Sequence, residues 1–216
     1  MKTLLSALTI LVLSSSFAQA VSTTFDFTNG TRNWTYGALN YEEDGLLLSV
    51  SAGRYKHSAV LDQGEIKQYN GNGLTIWSHK DNNHEIDGHK SKDVAVFEFS
   101  EHVILESVTF GYNGSDDRFA YFFDEGDNGS LDLINSALNA NPTNDIYTFL
   151  GSLLKSGDFF GIGALGENDD FKIRSLTVNR VSAVPLPAAL PLYGAGIAIL
   201  GFVGWRRKQK RNSIPT

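Results

Sequence analysis

The residues best equipped for chemistry crowd into one stretch, 80–93, which holds Asp81, Asn82, Asn83, His84, Glu85, Asp87, His89 and Asp93. Oxygen donors at this density suit a hard cation, which takes roughly six to eight oxygen ligands. Two carboxylate sets fit, Asp87 with Asp93 and the adjacent Asp116-Asp117. Solvated acidic turns are the plain reading of these sets, no cofactor is required, and Ca2+ is the ion they would take if one is bound. A third acidic turn, 124–132, misses the EF-hand register because Gly126 stands where the second ligand belongs. A transition metal fits less well. His79, His84 and His89 recur every five residues, a spacing that puts successive side chains on opposite faces of a strand. The helical zinc-protease pattern also fails, since Gly88 occupies the place of the second histidine in His84-Glu85-Ile86-Asp87-Gly88.

A second chemistry is ring stacking. Trp34, Tyr36 and Trp77, with Tyr41, Tyr55 and Tyr69, lie in or beside Gly/Asn-rich turns, and amphipathic rings in turns are natural contacts for sugars. The competing reading places the same rings in the core or at its rim. Catalysis finds little support. Glu42-Glu43 and Asp169-Asp170 are adjacent, so on an extended chain they face apart. A glycosidase needs two carboxyls about 5–9.5 Å apart across a cleft. No nucleophile elbow and no phosphate-binding glycine loop is present. The absence of cysteine excludes disulfides, thiol catalysis and a Cys-based zinc site. The chain reads as non-catalytic, with a carbohydrate-binding module as the alternative and a secreted hydrolase behind it.

These residues must be positioned by strands. Short apolar runs broken by Gly, Asn and Asp predict strands at 23–27, 33–36, 45–52, 58–61, 74–78, 93–99, 103–112, 118–123, 146–150, 159–165 and 171–180. Leu46, Leu48 and Val50 alternate with polar residues, and Ala95-Phe97-Phe99 and Phe119-Tyr121-Phe123 repeat the period of two. Phe171 and Ile173 share one phase and Leu176 and Val178 the other, which predicts a bulge at Arg174-Ser175. Residues 131–140 are expected to form the one helix, stopped by Asn141-Pro142. The fold class is all-β, an antiparallel jelly-roll-like β-sandwich over 21–183, with its first and last strands as neighbours.

The two ends read as addresses. Residues 1–20 combine Lys2, an apolar run and the small-residue cleavage site Ala18-Gln19-Ala20, the layout of a signal peptide. Residues 186–205 carry no charge, and as a helix they would cover ~30 Å, one hydrocarbon core. Arg206, Arg207, Lys208, Lys210 and Arg211 follow and act as a stop-transfer tail that stays cytoplasmic. Between the ends, 24 acidic residues against 12 basic ones leave the body at −12, although the whole chain of 216 residues is only −6. An acidic body without a basic stripe makes nucleic acid an unfavourable partner.

Immediately before the apolar segment stands Val184-Pro185-Leu186-Pro187-Ala188. Motif, apolar helix and basic tail together, over 184–211, resemble the PEP-CTERM sorting signal in its VPLPA variant. Leu186 stands where the commoner form has Glu. The resemblance implies a Gram-negative bacterium that makes exopolysaccharide. It also implies an exosortase that cuts near the motif, after an inner-membrane intermediate, and delivers the body to the cell surface or matrix. Around the polar loop, His84-Glu85-Ile86-Asp87, the strands at 93–99 and 103–112 and the Asp116-Asp117 turn resemble a family of exosortase-dependent surface proteins. That second resemblance implies a location and no activity.

Overall fold

The computed structural model describes residues 21–180, except 31, 63 and 79–83, together with 196, 197 and 200. The chain divides into two units, Ala20–Val181 and a second that joins Met1–Gln19 to Ser182–Thr216. In the second unit Gly196, Ile197 and Leu200 are helical. The expected signal peptide, sorting motif and basic tail lie outside the described residues, as does most of 186–205. Among the described residues no helix is long and apolar enough to cross a membrane.

The first unit is all-β. Its strands in chain order are β1 (Ser22–Asp26), β2 (Asn33–Thr35), β3 (Ala38–Glu43), β4 (Leu46–Lys56), β5 (Ala59–Asp62), β6 (Glu65–Tyr69), β7 (Gly73–Trp77) and β8 (Ile86–Asp87). They continue with β9 (Asp93–Gly111), β10 (Arg118–Phe123), β11 (Asp132–Asn139), β12 (Ile146–Thr148), β13 (Ser156–Gly163) and β14 (Asp170–Arg180). Every pairing between them is antiparallel.

The long strand β9 organises the domain. Its first half, Asp93–Phe99, lies between β4 and β13. Its second half, Val103–Gly111, lies beside β14, with β12 paired at Ser107–Thr109. One layer therefore runs from β3 and β5 through β4, β9 and β13 to β10 and β11. The other runs from β12 through β9 and β14 to β1 and β7, then on to β6 and β2. Rings cross between the layers: Phe25 meets Phe99 at 5.9 Å, Phe27 meets Phe97 at 6.4 Å, and Phe110 meets Phe119 at 4.9 Å between centroids. This sandwich-like core buries both triplets read from the sequence, Ala95-Phe97-Phe99 and Phe119-Tyr121-Phe123.

The alternate positions of the same strands are also buried. Val94, Val96, Ala120, Phe122 and Leu131 form a second cluster on the outer face, backed by Tyr55, Val60, Phe159 and Leu165. Strands buried on both faces lose their polar alternation, which accounts for the unbroken apolar run of β10.

Two bulges tune the packing. Arg174 is the extra residue between the pairs Ile173↔Phe110 and Ser175↔Thr109, where the phase change predicted one. Glu106 is extra on the partner strand, between Thr177↔Ser107 and Val178↔Leu105. Together they let Phe171, Ile173, Leu176 and Val178 all reach the core despite their two phases. The expected adjacency of first and last strands is present as Ser22↔Asn179 through Asp26↔Ser175.

Three expectations are corrected. Residues 131–140 form no helix but the edge strand β11, paired to β10 with two register shifts. Leu131 belongs to the outer cluster, while Ile134 and Leu138 pack on the main core. The spacing that resembled a helix is thus a strand serving two faces. One strand, β9 (Asp93–Gly111), stands where two were expected at 93–99 and 103–112, and β3, β6 and β8 were not foreseen.

Candidate functional site

The strands β2, β6 and β7 carry an aromatic and cationic face. Trp34 pairs with Lys67, Lys67 with Thr75, and Glu65 with Trp77. Opposed residues in an antiparallel pair point to the same side, so Trp34, Lys67 and Trp77 share one face, whose middle, at Glu65 and Thr75, is buried while Trp34 at its edge is exposed. The alternate residues turn inward, where Ile66 joins the core and the Gln68 amide donates to the carbonyls of Phe27 and Asn29.

On the Trp34 face Arg32 sits over two rings, 5.3 Å from the Trp34 centroid and 4.7 Å from that of Tyr69. Its guanidinium donates to the Tyr69 hydroxyl at 3.1 Å. The Lys67 ammonium lies 4.8 Å from the Trp77 ring and 3.3 Å from Glu65. His84 meets the edge of Tyr69 at 6.3 Å. Trp34 and Tyr36 remain 54% and 60% exposed. Cation–π attraction draws Arg32 to Trp34 and Tyr69 and Lys67 to Trp77, and Trp34 and Tyr36 are the exposed indole and phenol of this group. Of the three rings expected to contact sugar, two stand on one sheet face and Tyr36 follows directly after β2. Tyr69 was among the turn aromatics named from the sequence, whereas Arg32 and Lys67 were missed. Their signal was the i, i+2 spacing of Arg32 with Trp34, and of Glu65, Lys67 and Tyr69, which is the period of one strand face.

The acidic residues gather elsewhere in the same unit. Asp116 and Asp117 come together with Asp169, Asp170 and Glu85. Burial pushes the Asp117 carboxyl above its ordinary range, the backbone N–H groups of Gly114 and Asp170 pull it back, and Asp116 and Asp169 push it up again. Burial also raises Asp170, and the charges of Asp117, Glu85, Asp116 and Asp169 reinforce that shift. Much of the cluster holds loops together. Asp117 accepts from the N–H of Gly114 and, at 3.3 Å, from that of Asp170. Asp169 accepts from Arg118 N at 3.0 Å and Gly166 N at 2.8 Å.

Asp87 pairs with Asp170 across β8 and β14, and its Oδ1 accepts from His89 N at 2.8 Å. Asp93 stands at the start of β9, opposite Arg54. The carboxylates of Asp117 and Asp170, with Asp116 and Glu85, are of the type a hard divalent cation takes, but among the described residues their ligand atoms do not converge within 4.8 Å as a group of three. The expected pairing of Asp116-Asp117 is enlarged by Asp169-Asp170, a turn distant in sequence.

A third constellation was not foreseen. One ligand atom each from His102, Asp127 and Asp158 lies within 4.8 Å of the others, and His102 Nε2 is 3.8 Å from Asp158 Oδ2. His102 and Asp127 are exposed and Asp158 half-buried. The three come from β9, a loop and β13, so only strand pairing brings them together. Comparison with protein-family models, with curated proteins and with solved structures finds no match.

Proposed function

We propose that this chain is an exported, exosortase-processed protein of the cell surface or extracellular matrix, without catalytic activity, whose β domain holds polysaccharide. In this reading the domain is a jelly-roll-like sandwich, and the sorting signal over 184–211 is discarded after export. The observation that carries the binding role is the face of β2, β6 and β7, where Arg32 lies over Trp34 and Tyr69 and Trp34 and Tyr36 stay exposed. Large exposed rings cost free energy in water unless a ligand covers them, and stacked sugar rings do so at little entropic cost because indole and phenol are rigid. The backbone-bound carboxylates of Asp117 and Asp169 favour a structural over a catalytic use of the acidic cluster. Calcium belongs to the proposal as an ion that would relieve repulsion there.

Two measurements test it. The first is the mass of the mature C-terminus from native cells, expected to end near Val184–Ala188. An intact Arg206–Arg211 tail in the exported pool would remove the processing step. The second is retention of the chain on the host's matrix polysaccharide, with Trp34→Ala expected to weaken it by about 1 kcal/mol, the worth of one well-placed ring contact. Equal retention of both proteins would remove the aromatic face as the binding surface.

A further inference from the structure

The −12 body has 12 basic residues, and four of them meet in one place. Arg54, Lys56, Lys90 and Lys92, with Tyr55 and His57, line a pocket of about 260 Å³. Arg54 and Lys56 continue the phase of Val50 and Ala52 on β4, beyond the point where that strand face is core. The hairpin from β4 to β5 then turns through His57 and Ser58, both at positive φ (52° and 64°), the signature of a tight two-residue turn. On the other edge of β4 the 90–92 segment is tied down by Tyr55 N donating to Lys92 O at 2.8 Å, and by the Arg54 guanidinium donating to Lys90 O at 3.2 Å. Tyr55 turns to the opposite face and packs against Phe122 at 5.3 Å. Both walls are therefore anchored backbone.

The basic residues of the body divide by their partners, and Arg32, Arg118 and Arg174 stand singly elsewhere without an ion pair among the described residues. Lys67, Lys155, Lys172 and Arg180 each have a glutamate partner. Arg54, Lys56, Lys90 and Lys92 have none among the described residues. Asp93 lies across the strand from Arg54, but four cations lining one pocket without an ion pair of their own among the described residues repel one another. An oxyanion placed among them reverses that repulsion.

We propose that this pocket binds the anionic group of an acidic polysaccharide, a sugar carrying a carboxylate or a comparable oxyanion. Its volume suits one ring and its substituent rather than a continuous backbone. The acidic body disfavours the densest polyanions, such as duplex DNA with one charge per ~1.7 Å of axis. A uronate chain is less densely charged and can dock locally. The inference shares its ligand class with the polysaccharide reading but none of its residues, so the two can fail separately.

The test is affinity electrophoresis of the full chain in nonionic detergent, through gels containing polygalacturonate, dextran or no polymer. Polygalacturonate is expected to retard the wild type and dextran to do so less, and the difference should collapse at high salt. Arg54→Gln/Lys92→Gln is expected to lose at least about tenfold in affinity, as removal of close charge pairs does at interfaces, while Trp34→Ala keeps the polygalacturonate preference. Arg54→Lys/Lys92→Arg, which keeps the charge, should restore most of the retardation. If the glutamine pair does not fold, Lys56→Gln/Lys90→Gln at exposed positions carries the same test.

No preference for polygalacturonate over dextran overturns the proposal, as does an unchanged preference in the charge-removing variants. Displacement by millimolar inorganic phosphate without polygalacturonate binding makes the pocket a phosphate site, and tighter retention on duplex DNA makes it a nucleic-acid site. Either result overturns the sugar assignment. Loss of dextran and polygalacturonate binding together in Trp34→Ala would leave the aromatic face standing and the pocket overturned.

Discussion

Single side chains show where the domain keeps uncompensated polar groups. Tyr121 is fully buried among aromatic rings, 4.8 Å from Phe149, and its hydroxyl has no hydrogen-bond partner among the described residues. Burial alone raises its pKa. A desolvated, unpaired hydroxyl costs about 1–3 kcal/mol, so Tyr121→Phe should be neutral to stabilising, read as a rise in Tm. A clear loss of stability would mean that the hydroxyl has a partner.

The carboxyls Asp117 and Asp170 behave differently. Their pKa values are raised by burial and by neighbouring acids, so the native state binds protons more tightly than the unfolded chain. Stability should fall as pH rises from the ordinary aspartate range, about 4, through the raised values. Asp170→Asn is then expected to raise Tm near neutral pH, with the gain disappearing in acid. Asp124 has the opposite sign: burial opposes its ionised form, but the N–H groups of Asn128, Gly129, Gly126 and Ser130 outweigh it and hold the pKa low. Its contribution is lost as pH falls through that depressed value.

At the scale of elements, the decisive contacts are close backbone approaches and bulges. β7 meets β14 at a single register pair, Ile173↔Leu74. Gly73 begins β7 with φ +99°, and a side chain there would press on the Ile173 carbonyl. Gly73→Ala is expected to cost about 1–3 kcal/mol through strain alone, measured by chemical denaturation. A neutral result would mean that β7 is not held against β14 in this way.

The strands that the sequence revealed were those with clean alternation, such as Leu46-Leu48-Val50 and Phe119-Tyr121-Phe123. β11 was misread because Leu131, Ile134 and Leu138 serve two different clusters, and an edge strand with two register shifts need not keep a period of two. β3 is marked in the sequence by the turn that follows it. Asp44 and Gly45, both at positive φ, form the turn to β4, and Asp-Gly is a strong hairpin marker.

For the whole molecule, charge is the organising quantity. The acidic body concentrates charge of one sign in three places: Arg32 on the aromatic face, the carboxylates of the Asp117–Asp170 cluster and the cations of the Arg54–Lys92 pocket. Calcium would act on the second. Addition of a chelator should lower Tm if the cluster holds an ion, through loss of ligand-linked stability, and an unmoved midpoint would exclude it as a structural cofactor. Asp170→Asn separates the cases, because it raises Tm without calcium and removes the calcium-dependent gain.

The all-β character, the inward aromatic residues, the bulge at Arg174 and the contrast between an acidic body and a basic tail were legible from the amino-acid sequence alone. Each depends on local sterics, on a strand's period of two, or on simple charge counting. Tertiary structure alone decided that Asp117 meets Asp170, that Arg32 lies over Trp34 and Tyr69, and that Arg54 and Lys56 face Lys90 and Lys92. Those neighbours are set by which strands pair and where bulges shift the register, and pairing is a cooperative property of the assembled core that no single segment encodes.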